Sequence, residues 1–250
     1  MSTWLDEWNQ RQDVYVADRH RDQHFRAIAD AVTALLPSPR ARLLDYGPGE
    51  ALFAGDIAKA CHEVILCEAA DSIRNRLVAR FAGHTGVTVI EPGQLPALAA
   101  GSIDLIVVHS VVQYLDPDEL DALLGEASRL LSPTGRLVVS DIVPPGVGLL
   151  SDVAALLRFA YRGGFLREAL VSLVRNAVSP YSRTRRSLGL QRLDVPAMSA
   201  KARRAGLAGH RLPANLGDNR SRWAYIAQPR GTLHSAQTVT GSSGDHVIAR

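Results

Sequence analysis

Leu44-Asp45-Tyr46-Gly47-Pro48-Gly49-Glu50-Ala51 closes a short apolar run that begins at Arg42 and opens directly into a stretch of helical period, Leu52 to Cys61. Glycines at a strand-to-helix turn let a ligand approach the main chain with no Cβ in the way, and the following helix start offers unpaired N–H groups. A dinucleotide fingerprint, Gly-x-Gly-x-x-Gly, would place its third glycine at position 52, where this chain has Leu52. Asp45, immediately before the loop, would oppose a pyrophosphate but attract an ammonium group. The turn therefore suits a ligand with an amino group and a positive centre.

Outward from this turn, apolar runs of strand length recur at Arg42–Tyr46, Glu63–Cys67, Val87–Ile90, Ile103–Val108 and Arg136–Ser140, rich in Val, Ile and Leu. Such runs suit strands buried on both faces. Between them lie helical stretches, Leu52 to Cys61, Ser72 to Phe81 and Pro117 to Leu131, the last opening with Asp116 as N-cap and Pro117 at the first helical position. Strand alternating with helix predicts an α/β fold with a parallel sheet wound by right-handed crossovers. Val14 to Leu36 reads as a preceding helix that ends at Pro37-Ser-Pro39. Beyond the fifth strand, a helix around Ser199 to Ala205 and extended runs at His210–Leu216 and Trp223–Ala227 complete the pattern.

These signals divide the chain into an N-terminal helical segment (1–39), a main domain (40–230) carrying a helical insertion (146–195), and a tail (231–250) whose composition predicts disorder. The insertion holds Leu149, Leu150, Leu156, Leu157, Phe159, Phe165, Leu166, Leu170 and Leu173 at mixed helical spacings, with Gly163-Gly164 expected to break it in two, and then Arg183-Thr-Arg-Arg186. An apolar lid over a pocket is one reading, with the arginines suiting an amphiphilic or acidic substrate or an anionic membrane surface; a helical cap with a solvated arginine face is the other. Net charge is −8 over residues 1–145 and +11 over 146–230. Lys59 and Lys201 are the only lysines, so the excess reflects either arginine-rich codon usage or a basic surface. No aromatic-interleaved basic patch accompanies it, so nucleic acid is not the expected partner. Cys61 and Cys67, six apart, cannot build a disulfide framework or a cysteine zinc cage, and no run of 18 apolar residues is present. Met1 to Gln10 carries Asp6, Glu7 and two tryptophans where a leader would need a basic start and an apolar run, so the expectation is a soluble, cytoplasmic protein.

The turn, Glu68 after the second strand, Ile103-Asp-Leu-Ile-Val-Val-His-Ser110 with Val111-Val-Gln-Tyr-Leu115, and Leu130 to Asp141 together resemble the class I S-adenosylmethionine-dependent methyltransferases, in their small-molecule and quinone-type branch. The first motif of that family runs apolar-apolar-Asp/Glu-x-Gly-x-Gly-x-Gly, and the resemblance covers roughly Arg42 to Pro145. It implies a Rossmann-like, doubly wound, mostly parallel seven-stranded sheet, S-adenosyl-L-methionine as cofactor and methyl transfer to a small molecule, with an RNA- or protein-modifying methyltransferase or a non-catalytic binding protein of the same fold as the alternatives. It also implies cofactor contacts by Asp45, Gly47, Gly49 and Glu68, the last accepting both ribose hydroxyls, with Glu91 and Gln94 near the adenine amino group. Ala51 departs from the motif's third glycine, with a slight loss of room expected.

Methyl transfer needs a base only where the nucleophile must lose a proton, and imidazole is matched to neutral pH. His109, at the end of the fourth strand beside the crevice where open α/β sheets bind ligands, is the first candidate, as base or as the group orienting the nucleophile. Packing beneath the methionine part of the cofactor is its alternative role. His20 and His24, spaced i, i+4 on the N-terminal helix near Tyr15, are further candidates. That spacing also resembles a metal pair, but no third ligand is identifiable and no metal is expected. Tyr15, Gln113 and Tyr114 are candidate substrate contacts, with core packing an equal reading for Tyr114. Asp104, within the fourth strand, reads as structural.

Overall fold

The computed structural model describes residues 3–10, 18–164, 166, 189–217 and 219–231. Its centre is a sheet of seven strands, β1 (Arg42–Tyr46), β2 (Glu63–Cys67), β3 (Val87–Ile90), β4 (Ile103–His109), β5 (Leu131–Ile142), β6 (Leu207–Arg211) and β7 (Trp223–Pro229), in the order β3-β2-β1-β4-β5-β7-β6. The pairs among β1 to β5 are parallel, and β7 runs antiparallel to both β5 and β6. This is the Rossmann-like, mostly parallel seven-stranded architecture. The two-residue period shows why the strands read as continuous apolar runs. Leu43, Val64, Leu66, Leu105 and Val107 enter one core, while Leu44, Ile65, Cys67, Ile106 and Val108 enter the other. Neither face meets water, so no polar alternation survives.

Helices α1 (Thr3–Gln10), α2 (Asp18–Leu35), α3 (Ala54–Ala58) and α4 (Asp71–Arg80) precede α5 (Pro117–Leu130), α6 (Leu149–Gly163) and α7 (Val195–Arg204). Ala29 and Val32 of α2, Ile57 of α3 and Ile73 and Leu77 of α4 cover the first face; Leu120, Leu124 and Leu130 of α5 with Met198 and Ala202 of α7 cover the second. Asp116 caps α5 as read from the sequence. Its Oδ1 accepts from Asp118 N (2.9 Å) and Glu119 N (2.8 Å), and Glu119 Oε2 accepts from Asp116 N (2.8 Å). Asp104 is structural: its carboxylate accepts from Arg42 N (3.0 Å) and Ser132 Oγ (3.0 Å).

Several boundaries differ from expectation. The helix after the first turn shrinks to Ala54–Ala58 because Ala51 to Phe53 are used in the turn. The fifth strand begins at Leu131, which pairs with Ile103 before Ser132 to Gly135 bulge out and pairing resumes at Leu105 and Arg136. A Cβ on Gly135 would lie 2.8 Å from Ile103 O, so only glycine closes that bulge. The last helix starts earlier, at Val195, capped by Asp194, whose side chain accepts from Ala197 N. A helix was not foreseen at Thr3–Gln10, although Trp4 and Trp8 at i, i+4 give it an apolar stripe. α6 ends where Gly164 adopts the left-handed conformation (φ 74°). It lies against α2, with Gln23 Nε2 donating to Gly163 O (3.5 Å). The rest of the expected lid, residues 167–188, and the expected tail after residue 231 lie outside the described residues. Among those described, no helix is long and apolar enough to cross a membrane.

Two glycines in the same region should respond in opposite directions. Gly135→Ala forces a Cβ onto Ile103 O and is expected to destabilise the fold by about 1–3 kcal/mol. Gly125→Ala, in mid-helix α5 with nothing within 4 Å of the new Cβ, is expected to stabilise it by about 0.5–1 kcal/mol. Urea denaturation of the two variants checks both signs.

Candidate active site

The strand order reverses at β1, which pairs with β2 on one side and β4 on the other, so the C-terminal ends of β1 and β4 open a crevice. The loop after β1 is tied to the end of β2 by Gly47 N donating to Cys67 O (2.8 Å). Gly47 has φ 70°, and a Cβ there would collide with Cγ2 of Val111. Gly49 has φ 59°. Ala51 also sits in the left-handed region, at φ 44°. The cost of an alanine at this place is thus backbone strain of about 1–2 kcal/mol, where the sequence suggested only reduced room.

Glu68 follows β2 directly and is 6% exposed. Its Oε2 accepts from Gly49 N (3.3 Å) and its Oε1 from Ala70 N (2.9 Å), joining the glycine loop to the start of α4. Burial pushes its pKa up, and the donated amide bonds oppose that rise. Asp45, half-buried across the loop, receives no hydrogen bond from a described residue. Burial, and then the charge of Glu68, push its carboxyl up to about 7.

Both acids line a cavity of about 440 Å³ at this crevice. That volume lies within the ordinary range for small-molecule sites. Trp4 and Trp8 of α1 and Phe25 and Ile28 of α2 form apolar walls. Tyr114 faces both tryptophans, with ring centroids 4.7 Å from Trp4 and 5.5 Å from Trp8. The charged lining residues, among those described, are Asp45, Glu50, Glu68 and Glu119 against Arg76.

His109 ends β4 at the cavity, and its ring centroid is 6.0 Å from that of His24 on α2. Two of the three candidate histidines therefore meet across one site. Tyr15 and the side chain of His20 lie outside the described residues. His109 Nδ1 is 2.6 Å from Ser140 Oγ, and burial holds its pKa below the usual imidazole range, opposed by the charge of Asp141. Beside it, Ser110 Oγ donates to Asp141 Oδ2 (2.5 Å), while Asn215 Oδ1 accepts from Asp141 N (2.8 Å). Ser110 (φ 57°) and Asp141 (φ 63°) both hold left-handed backbone. Strain paired in this way at two neighbouring strand ends is characteristic of ligand sites. Ser140, Asp141 and Asn215 had no signal as site residues in the sequence, because only the β4–β5 register brings His109 opposite Ser140.

The remaining candidates stand differently. Glu91 and Gln94 are exposed and engage each other as a capping box over a short 3-10 helix, Pro92–Ala97, with Glu91 also 3.5 Å from Arg74. Pro92 between them lines the cavity. Gln113 is buried away from it: its Oε1 accepts from Arg222 Nη1 (3.1 Å) and its Nε2 donates to Ser110 O (3.3 Å).

Residues 44–139 match the methyltransferase domain family model. Over that stretch the chain carries a methyltransferase domain. Comparison with curated proteins finds no match. Among solved structures, magnesium protoporphyrin IX methyltransferase from Synechocystis PCC 6803, with bound S-adenosylhomocysteine, aligns over 91% of this chain and 95% of its own at 16% identity and TM-score 0.57. An S-adenosylmethionine-dependent methyltransferase from Leishmania major aligns over 89% and 80% at 14% identity and TM-score 0.55. The pyocyanin biosynthetic protein PhzM aligns over 81% of this chain at 15% identity and TM-score 0.51, and this chain spans 54% of it. At these identities the likeness is one of fold.

The raised Asp45 pKa gives a sign for the pH dependence of stability. The unfolded carboxyl ionises near about 3.9, whereas the folded one stays protonated to about 7. The unfolded state therefore loses its proton first, and stability falls as pH rises through that window. In the ligand-free protein, Asp45→Asn should be more stable than wild type by a margin that grows from pH 4 to 7 and is level above. Thermal melts across that range read it, and a constant margin would contradict the assignment.

Proposed function

We propose that this chain transfers the methyl group of S-adenosylmethionine to a small, largely apolar molecule held under α1. The observation that carries the reading is the pair Glu68 and Asp45 in one cavity wall. Glu68 is buried with both oxygens already oriented by main-chain amides, and each oxygen keeps a second lone pair for a ribose hydroxyl. Asp45 is a desolvated carboxyl with no donor from the described residues, which an ammonium or sulfonium group would satisfy. Gly47 and Gly49 keep the wall free of side chains between them. The adenine end falls towards Pro92, at the edge that Glu91 and Gln94 cap.

S-adenosylmethionine, when bound, supplies a methyl group already activated on a positive sulfur. The protein is then left with alignment and exclusion of water. Trp4 and Trp8 roof the cavity, and Tyr114 packs against them, so an acceptor placed below is shielded from solvent. His109 at the end of β4 and His24 on α2 then stand towards the acceptor. Glu50 and Glu119, the described lining carboxylates left beside the two cofactor acids, favour a neutral or cationic acceptor over the acidic one that the arginine-rich segment suggested.

Incubation with methyl-labelled S-adenosylmethionine and a native extract, fractionated into small molecules, RNA and protein, tests the substrate class. Label is expected in the small-molecule fraction; label confined to RNA or protein would overturn it. Glu68→Gln, which keeps the shape but loses the charge and one acceptor, is expected to weaken S-adenosylhomocysteine binding by about 1.5–3 kcal/mol in calorimetry. Unchanged affinity in a folded variant would remove Glu68 from the site.

A further inference from the structure

Helix α6 turns one side to α2 and the other to solvent. Ala160 is 0% exposed and Gly163 is buried, its carbonyl accepting from Gln23 Nε2 of α2. Away from that contact, Ala154, Arg158, Tyr161 and Arg162 are exposed, Tyr161 by 76%. The helical repeat places these four within about 100° of one another on the helix surface. From Val153 to Gly163 the helix carries no acid, and Arg19 of α2 brings a third exposed guanidinium beside Gly164 at its end. Arg19, Arg158, Tyr161 and Arg162 make no hydrogen bond or ion pair with a described residue. Asp22, an exposed acid of α2, is 3.8 Å from Arg21. A merely solvated face would account for Arg162, which sits in the last turn where the helix dipole favours a cation. Arg158 lies before that turn, and the Tyr161 ring gains nothing from water. An amphipathic ring between two guanidiniums is the combination that suits a lipid–water interface, where the ring enters the headgroup layer and the arginine heads reach the phosphates.

We propose that the outer face of α6, formed by Arg158, Tyr161 and Arg162 with Arg19 beside it, docks on the surface of an anionic lipid bilayer. Charge complementarity carries the choice of occupant, since the face holds cations alone and residues 146–230 as a whole carry +11. The helix lies on such a surface, because none of the described helices is long and apolar enough to cross one. A nucleic acid would also answer the charge, but stacking on it takes successive ring platforms, and Tyr161 is the one exposed ring among the described residues of this face. Docking also has a use. α2, on which α6 lies, gives Phe25 and Ile28 to the cavity wall, so the cavity sits one helix away from a phase that dissolves an apolar acceptor. The inference rests on the methyl-transfer reading for that use alone.

Sedimentation of the full chain with vesicles of phosphatidylcholine, with and without phosphatidylglycerol, tests the docking. Binding is expected to the vesicles that contain phosphatidylglycerol, and its loss in high salt. Each arginine near an anionic surface contributes about fivefold, so Arg158→Gln with Arg162→Gln should bind about 25-fold more weakly. Both positions are exposed, and an unchanged melting temperature shows that the fold is kept. A polarity-sensitive dye on Tyr161→Cys, with Cys61 and Cys67 buried, should shift its emission to the blue on those vesicles. The same dye on Val78→Cys of α4, where the valine is 52% exposed, should not. No binding to either vesicle, equal binding by the double variant, or an equal shift at the two dye positions would overturn the proposal. Retention of RNA without retention of vesicles would give the face to nucleic acid and overturn it equally. Vesicle binding is read without S-adenosylmethionine, whereas failure of S-adenosylhomocysteine to bind would count against the methyl-transfer reading alone.

Discussion

The Glu68 carboxylate, caught between the main-chain amides of Gly49 and Ala70, is the interaction on which the site depends. It joins the loop after β1 to the helix after β2, so the two strand ends that flank the crevice are held as one surface. The arrangement works because a carboxylate has more acceptor positions than the two amides fill. Burial would expel such a charge, and the amides partly offset that cost. They add to the bond from Gly47 N to Cys67 O in holding a loop whose Gly47, Gly49 and Ala51 all keep left-handed backbone.

The same edge of the sheet carries most of the unusual backbone in the described residues. Ala51, Ser110 and Asp141, the non-glycine residues with positive φ, follow or end β1, β4 and β5. Each costs about 1–3 kcal/mol; Ser110 and Asp141 are held by their bond to each other and by Asn215, and Ala51 by main-chain bonds with Pro48 and Ala54. The sheet interior is the opposite case, with Leu43, Ile103, Leu105 and Ile106 fully buried at 0% exposure and without such strain. Stability is thus concentrated in the sheet, and the irregular backbone collects where a ligand would meet it. The Asp45 carboxyl, pushed up to about 7, fits that division, since it weakens the fold as pH rises towards neutrality.

The sheet was legible in the sequence because β1, β2 and β3 are short runs of Leu, Val and Ile bounded by glycine, proline or charge, and the structure ends them at the residues read. Asp116-Pro117 likewise announced α5. What was not legible depends on tertiary register or on short helices. Thr3–Gln10 is too short for composition to reveal, and Leu131 joins β5 only because Gly135 permits a bulge against Ile103. Asp45, Gly47, Gly49 and Glu68, which share the cavity wall, could be picked out as candidates because they sit at fixed offsets from strand ends. Ser140 and Asn215 could not, since one is a strand residue like its neighbours and the other reaches Asp141 from a loop 74 residues on. Glu91 and Gln94 show the converse: their spacing of three is also that of a capping box, and the structure uses it so.

The central claim is that Glu68 and Asp45 divide one cofactor between them. A crystal structure of the protein with S-adenosylhomocysteine tests it most directly. The account predicts the Glu68 carboxylate within hydrogen-bond distance of both ribose hydroxyls and Asp45 facing the amino group of the amino-acid end. A ribose placed away from Glu68, or that amino group bound by other residues with Asp45 still unpaired, would contradict it.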